Sequence, residues 1–181
     1  MNLLRIQECD ENAVNPAPAA PGKVNLDSFE VIEPLGKGSF GSVFLVTKKG
    51  ESPSKYYAMK ILEKDKVLQQ NLVRYAKTER NVLSLAQHQF IVGLNFAFQS
   101  QSRLYLIMDY APGGDMGMAL ANQRRFTVEV ARIYAAEIVL ALEYLHKQDI
   151  IFRDLKPDNV VFDSDGHAML TDFGLSKTGV G

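Results

Sequence analysis

The sequence has no tryptophan, a single cysteine and no uninterrupted apolar run long enough to cross a bilayer. Each shortage excludes something. Cys9 has no partner for an internal disulfide, and no Cys/His cluster has zinc spacing, so a disulfide scaffold and a zinc module are excluded and a reducing compartment, cytoplasm or nucleus, is expected. The longest apolar stretch, Val128 to Leu145, is broken by Glu129, Arg132, Glu137 and Glu143. Those charges are costly in hydrocarbon, so it predicts a buried helix and no membrane segment. The N-terminus carries acidic residues and lacks the apolar core of a signal peptide. Charge of one sign is also missing: 20 basic against 21 acidic residues leave a net charge of −1, so nucleic acid is not an expected partner. What is present is ordinary for a globular chain. Of 181 residues 46% are hydrophobic and 23% charged, enough for one domain or two small ones with a real core.

Pro16, Pro18 and Pro21 stand among alanines, which predicts an extended, disordered leader over 1–27. From Phe29 the pattern turns to short β-type runs: FEVIEPL, SVFLV after a glycine-rich turn, and YYAMKIL after a polar turn. Residues 65–86 take a helical period, with Leu68, Leu72, Ala76, Leu83 and Ala86 on one stripe and Glu79 on the same stripe. GLNFAFQ and RLYLIMDY then complete a five-stranded antiparallel sheet carrying one helix. Ala111-Pro112-Gly113-Gly114 breaks the pattern and predicts a boundary between a first lobe, 28–110, and a second, 111–181. Residues 127–146 open on Thr127 as an N-cap and are apolar nearly all round, predicting a central helix. NVVF and HAMLT follow as a hairpin turned by Asp163-Ser164-Asp165-Gly166, whose Asp-Gly pair suits the positive φ angles of a tight turn. The fold class is α+β.

Gly36-Lys37-Gly38-Ser39-Phe40-Gly41 fits G-x-G-x-x-G, a pattern shared by dinucleotide sites, phosphate-covering hairpins and plain flexible turns. A dinucleotide fingerprint opens a helix, whereas Val43-Phe44-Leu45-Val46 continues here as a strand. No G-K-[ST] follows, which excludes a Walker loop. Strand alternation places Ala58, Lys60 and Leu62 on one face. A lysine there is ordinarily a snorkelling edge residue. Glu79 on the apolar stripe of the next helix offers a complementary charge, and an ion pair between the two would fix the ammonium as a phosphate contact.

The most specific signal is Asp154-Leu155-Lys156-Pro157-Asp158-Asn159, followed by a hairpin and Asp172-Phe173-Gly174. Phosphoryl transfer needs a carboxylate to orient the attacking hydroxyl, a cation near the phosphate, and oxygen ligands for magnesium. Asp154, Lys156, and Asn159 with Asp172 supply these in turn. Separately each could be a turn cap or strand end.

Taken with YAMKIL, TERNVL, FIVGLNFAFQ, LYLIMDYAPGGDM, ARIYAAEIVLALEYLH, FRDLKPDN and TDFG, the chain from about Phe29 to Lys177 resembles a eukaryotic protein kinase of the serine/threonine AGC group. The resemblance implies a two-lobed protein-kinase-like fold that uses ATP and Mg2+. It implies a phosphate loop over Leu35, Gly36, Lys37, Gly38, Ser39, Phe40 and Gly41, with Met108 as gatekeeper and Asp109 to Ala111 as an adenine-binding hinge. Val43, Ala58, Met116 and Val161 would sandwich the adenine, and Asp115 would reach the ribose. Leu83, Leu94, Phe152 and Phe173 would stack into an internal apolar column. Protein serines and threonines are the implied acceptors, with upstream arginines paired to Asp115 and Asp158.

Three positions depart from the family pattern. Phe152 replaces the usual histidine, Gln89 the proline after His88, and Gly117 a bulky aromatic. The chain ends at Gly181 without an Ala-Pro-Glu motif. A fragment of a kinase is therefore expected, with apolar faces of helix 127–146 left exposed and poor solubility. The alternative is a noncatalytic ATP-binding or regulatory module.

Overall fold

A computed structural model describes residues 24–38, 41–51, 55–69 and 71–179. Residues 1–23 of the leader expected over 1–27, with Ser39 and Phe40 of the glycine loop, lie outside the described residues; its end is ordered, with Val24 packed on the core and a 3-10 turn at Leu26–Ser28.

Five strands build the first half: β1 (Phe29–Gly38), β2 (Gly41–Lys48), β3 (Tyr56–Glu63), β4 (Leu94–Gln99) and β5 (Arg103–Asp109), with α1 (Lys64–Gln69) and α2 (Val73–Leu85) between β3 and β4. All neighbours are antiparallel, in the order β1-β2-β3-β5-β4. Alternation sorts the side chains. Val46 opposite Tyr57 and Met59 opposite Ile107 face outward into an aromatic layer with Phe29, Phe96, Phe98 and Tyr105. Phe98 stacks on Tyr105 and Phe29 at centroid distances of 4.9 and 5.9 Å. The opposite face presents Val43, Ala58, Lys60, Leu106 and Met108, joined across the strands as Val43 to Lys60, Lys60 to Leu106 and Ala58 to Met108.

The single helix expected over 65–86 is two. Asn71 takes a left-handed φ of 57°, a conformation asparagine tolerates better than most residues, and the Leu72 amide closes back on the Val67 carbonyl. The break shifts the phase, so Val67 rather than Leu68 is buried, against Leu62 and Leu104. Leu68 is exposed. Past the break the expected stripe holds, with Glu79, Leu83 and Ala86 buried.

The second half comprises α3 (Met116–Gln123), α4 (Val128–Lys147), β6 (Ile150–Ile151), β7 (Val160–Phe162), β8 (Ala168–Leu170) and β9 (Lys177–Thr178). Thr127 caps α4, its hydroxyl accepting from the Val130 amide at 3.4 Å. Glu137, Ala141 and Leu145 are buried and Tyr134, Ile138 and Leu142 pack on the same core. Val128, Ile133, Val139 and Leu140 are exposed. Apolar faces of this helix are thus exposed among the described residues, as the sequence reading expected, because β6, β8 and their neighbours meet only one side. The β7–β8 connection also differs from a two-residue turn. Phe162 pairs with Ala168, leaving five residues between them. Only Gly166 takes positive φ there, and the Asp163 carboxylate accepts from the Asp165 and His167 amides.

Backbone hydrogen bonds join the halves. Leu170 donates to Phe90 and Val92 to Leu170, while Gly113 and Phe162 stitch the segment after β5 onto β7. No helix among the described residues is long and apolar enough to cross a membrane.

Candidate active site

Lys60 projects from the middle of β3, where strand alternation turns it toward α2. Its Nζ donates to Glu79 Oε1 at 2.5 Å and lies 3.5 Å from Asp172 Oδ1. The lysine side chain is 16% exposed and the glutamate 6%, so the pair is largely dry and each charge depends on the other. Burial pushes the Lys60 ammonium down, but the charges of Glu79 and Asp172 and their hydrogen bonds outweigh it and hold it above the ordinary lysine range. It stays a cation.

The second cluster sits on the turn between β6 and β7. Asp154 Oδ2 accepts from Lys156 Nζ at 2.9 Å and from Asn159 Nδ2 at 2.8 Å, and Asn159 Nδ2 also reaches the Asp154 carbonyl at 2.9 Å. Hydrogen bonding to Asp154 raises the Lys156 pKa. With its nitrogen committed to Asp154, the buried Asn159 amide has its Oδ1 oxygen left for a cation. Pro157 opens the short 3-10 turn that carries Asn159, where its missing N–H costs nothing. The two clusters are joined by backbone, since the Thr171 amide donates to the Asn159 carbonyl at 3.0 Å. Asp172 follows directly, in the left-handed region at φ 62° and ψ 73°. A non-glycine residue held there costs of order 1–3 kcal/mol and marks a position the surroundings overdetermine. Lys60, Glu79, Asp154, Lys156, Asn159 and Asp172 thus form one connected constellation.

An apolar column stands behind it. Leu83, Phe152 and Phe173 are buried in one core, with Leu94 packed on it. The Phe152 and Phe173 rings meet edge-on at 5.2 Å, so Phe152 is a packing residue beside Asp154.

The glycine segment is a hairpin, as its strand context requires: Gly36 faces Val43, Lys37 faces Ser42 and Gly38 faces Gly41. A Cβ at Gly41 would stand 1.8 Å from the Ile61 carbonyl oxygen. Glycine there lets β2 lie close on β3. Leu35 and Lys37 are exposed at the tip's approach, and Met108 is buried at the end of β5. Asp109 turns its carboxylate away from the sheet's inner face, accepting from the Gly93 amide at 3.0 Å and Asn95 Nδ2 at 2.8 Å, while its own amide donates to the Gly93 carbonyl. Ala111 lies in the irregular segment that follows. Asp115 caps α3, its carboxylate accepting from Met118 N at 2.7 Å, and it bridges to Val161 on β7 beside buried Met116. A hollow of about 380 Å3 lies behind Asp109, walled by Leu83, Ala86, His88, Ile91 and Leu94. None of the six clustered residues lines it.

Two contributors escaped the sequence reading. Arg153, at φ 66°, donates from Nε to the Leu175 carbonyl at 2.8 Å, tying the Asp154 turn to the segment after Asp172. Its only signal was its place next to Asp154. Glu137 and His167, 30 residues apart, meet at 2.6 Å, and a glutamate in an apolar helix was the only hint of that pair.

Comparison with known proteins agrees with this geometry. The protein kinase domain model matches residues 29–180. Protein kinase 2 of Dictyostelium discoideum is 49% identical over 83% of this chain and 31% of its own length. Serine/threonine-protein kinase AtPK1/AtPK6 of Arabidopsis thaliana is 47% identical over 86% of this chain and 33% of its own length. RAC-beta serine/threonine-protein kinase of Rattus norvegicus is 46% identical over 96% and 35% respectively. The chain therefore spans about a third of the length of these relatives. With its sheet order, its buried lysine–glutamate pair and its linked aspartate–asparagine cluster all accounted for, the chain belongs to the protein kinase domain family, and its likeness runs to the serine/threonine kinases within it.

Proposed function

We propose that this chain carries the nucleotide-binding and phosphoryl-transfer residues of an ATP- and magnesium-dependent serine/threonine protein kinase. The observation that carries the proposal is the Lys60 ammonium held between Glu79 and Asp172, with Asp154, Lys156 and Asn159 tied to the same point through the Thr171 amide.

The donor set fits magnesium. That ion takes few protein oxygens and completes its shell with water and substrate phosphate, and Asn159 Oδ1 with the half-exposed Asp172 carboxylate offers such a pair. When bound, magnesium neutralises charge on the phosphates. The chain's own residues do the rest. Lys60 is a fixed point charge for phosphate oxygens, kept in place by Glu79. Asp154 orients the acceptor hydroxyl and takes its proton, and Lys156 offsets negative charge developing on the transferred group. The glycine hairpin, Leu35 to Gly41, covers the phosphates with backbone N–H groups. Val43 and Ala58 from the sheet, with Met116 and Val161 from the other half, enclose the adenine. Met108 guards the rear. Asp109 spends its carboxylate on Gly93 and Asn95, and the backbone of the segment through Ala111 supplies the hydrogen bonds to the base.

Asp115 carries a second task at the ribose. Across Gly117, where a Cβ would lie 3.1 Å from Asp115 Oδ1 and 3.4 Å from Asp158 Oδ1, the two carboxylates approach each other. That notch favours arginine upstream of the target serine or threonine. The setting that fits such a protein is cytoplasm or nucleus. Asp154→Ala in the complete gene product tests the assignment: transfer to a serine peptide is lost while nucleotide binding persists. Retained turnover refutes it.

A further inference from the structure

Glu137 is a charged residue in the middle of α4, 5% exposed. Both of its oxygens are used by the β7–β8 hairpin. Oε1 lies 2.6 Å from His167 Nδ1, and Oε2 accepts from the Ala168 amide at 2.8 Å. Among the described residues it makes no other ion pair. A dry carboxylate with a neutral imidazole and one amide for company is poorly compensated, while an imidazolium supplies a full opposite charge and a stronger hydrogen bond. The carboxylates facing His167 favour that form. Glu137 comes from α4, Asp163 and Asp165 from its own loop, and the Phe90 ring lies 6.0 Å away on the segment joining α2 to β4, with His88 beyond it.

The clamp sits at the closed end of a short hairpin. At its open end stand Asn159 and Asp172, one residue outside β7 and two outside β8, linked by the Thr171 amide. We propose that Glu137 and His167 are positioning residues: their clamp, closed while His167 carries a proton, fixes the β7–β8 hairpin against α4 and so sets the spacing of Asn159 and Asp172. The link to magnesium rests on the nucleotide-binding function proposed above.

The sign follows from the geometry. Hydrogen bonding to Glu137, then its charge, raises the His167 pKa above the ordinary 6.5. The folded chain therefore holds the proton more tightly than the unfolded one. The clamp contributes fully below about pH 6.5 and is lost as pH rises through the elevated folded value.

The test has two arms on the 181-residue chain. Ring-proton NMR across pH 5–9 follows the three histidines, with His167→Gln assigning one of them. The expected result is that His167 titrates above the ordinary 6.5 and that Glu137→Gln returns it toward the ordinary range. Titration of wild-type His167 at or below that range overturns the clamp. The second arm measures Mg·ATP affinity against pH. Wild type weakens as the clamp opens, whereas His167→Gln is weaker by about tenfold at pH 6, the low end for loss of a group orienting a metal ligand, and is flat with pH. Identical profiles overturn the link to magnesium. Absence of Mg·ATP binding at every pH removes the functional assignment along with that link, and the NMR arm still decides the clamp. Should Glu137→Gln fail to fold, His167→Gln, on a half-exposed side chain, carries both arms.

Discussion

Lys60 and Glu79 meet at 2.5 Å, one from the middle of a strand and the other from a helix 19 residues later. Their contact couples the position of α2 to the sheet. The geometry makes each residue conditional on the other, because neither side chain has enough water to solvate an isolated charge. Glu79→Gln removes one charge and leaves the lysine with Asp172 alone. The expected loss is about 3 kcal/mol of unfolding free energy, typical of breaking a buried pair. Urea denaturation with an unchanged m-value measures it, and a loss under about 0.5 kcal/mol, within the range of an exposed pair, contradicts the buried-pair assignment.

Two glycines in the same half separate crowding from backbone freedom. At Gly93 a Cβ would fall 2.5 Å from Asp109 Oδ2, whereas at Gly36 nothing lies within 4 Å. Gly93→Ala forces apart the bonds that fix Asp109 to β4 and costs about 1–3 kcal/mol, as overpacking does. Gly36→Ala is near neutral in stability. Thermal melting of the two variants side by side checks this, and equal costs defeat it.

Phe173 is fully buried and its ring meets Phe152. Phe173→Ala leaves a cavity between the halves and costs about 3–5 kcal/mol. Hydrogen exchange should quicken in both α2 and the segment around Phe152. Faster exchange confined to residues next to 173 argues against a continuous column.

Tyr57 is buried on the outer face of the sheet and donates to Glu51 Oε2 at 2.8 Å. Burial first, then the bond to Glu51, pushes the phenol far above the ordinary value of 10. Its proton is bound more tightly in the folded chain, so its contribution is complete below pH 10 and disappears as pH climbs through the raised value. In a spectrophotometric titration of the seven tyrosines, one ionises late, together with unfolding. Tyr57→Phe removes that late step and costs about 1 kcal/mol. Persistence of the step in the variant assigns it elsewhere.

The sheet and most of the constellation could be read from residue order because their causes are local. Alternation alone put Ala58, Lys60 and Leu62 on one face. A glutamate on an apolar stripe is odd enough to point to its lysine. Where causes are distant the reading failed. The break at Asn71 comes from one left-handed residue among good helix formers, and it moved burial from Leu68 to Val67. The five-residue connection after β7 arises because the Asp163 side chain substitutes for a tight turn's own hydrogen bonds. Glu137 looked like a mere interruption of an apolar run. Its partner belongs to another element, and no spacing rule links them.

The most direct test is calorimetric titration of the folded chain with ATP, with and without magnesium, beside Lys60→Met. The constellation predicts one binding site whose affinity requires the metal and falls at least about tenfold, or 1.4 kcal/mol, in the variant. A wild-type chain that is folded by circular dichroism yet gives no heat with Mg·ATP, or a Lys60→Met chain that binds as wild type does, contradicts it.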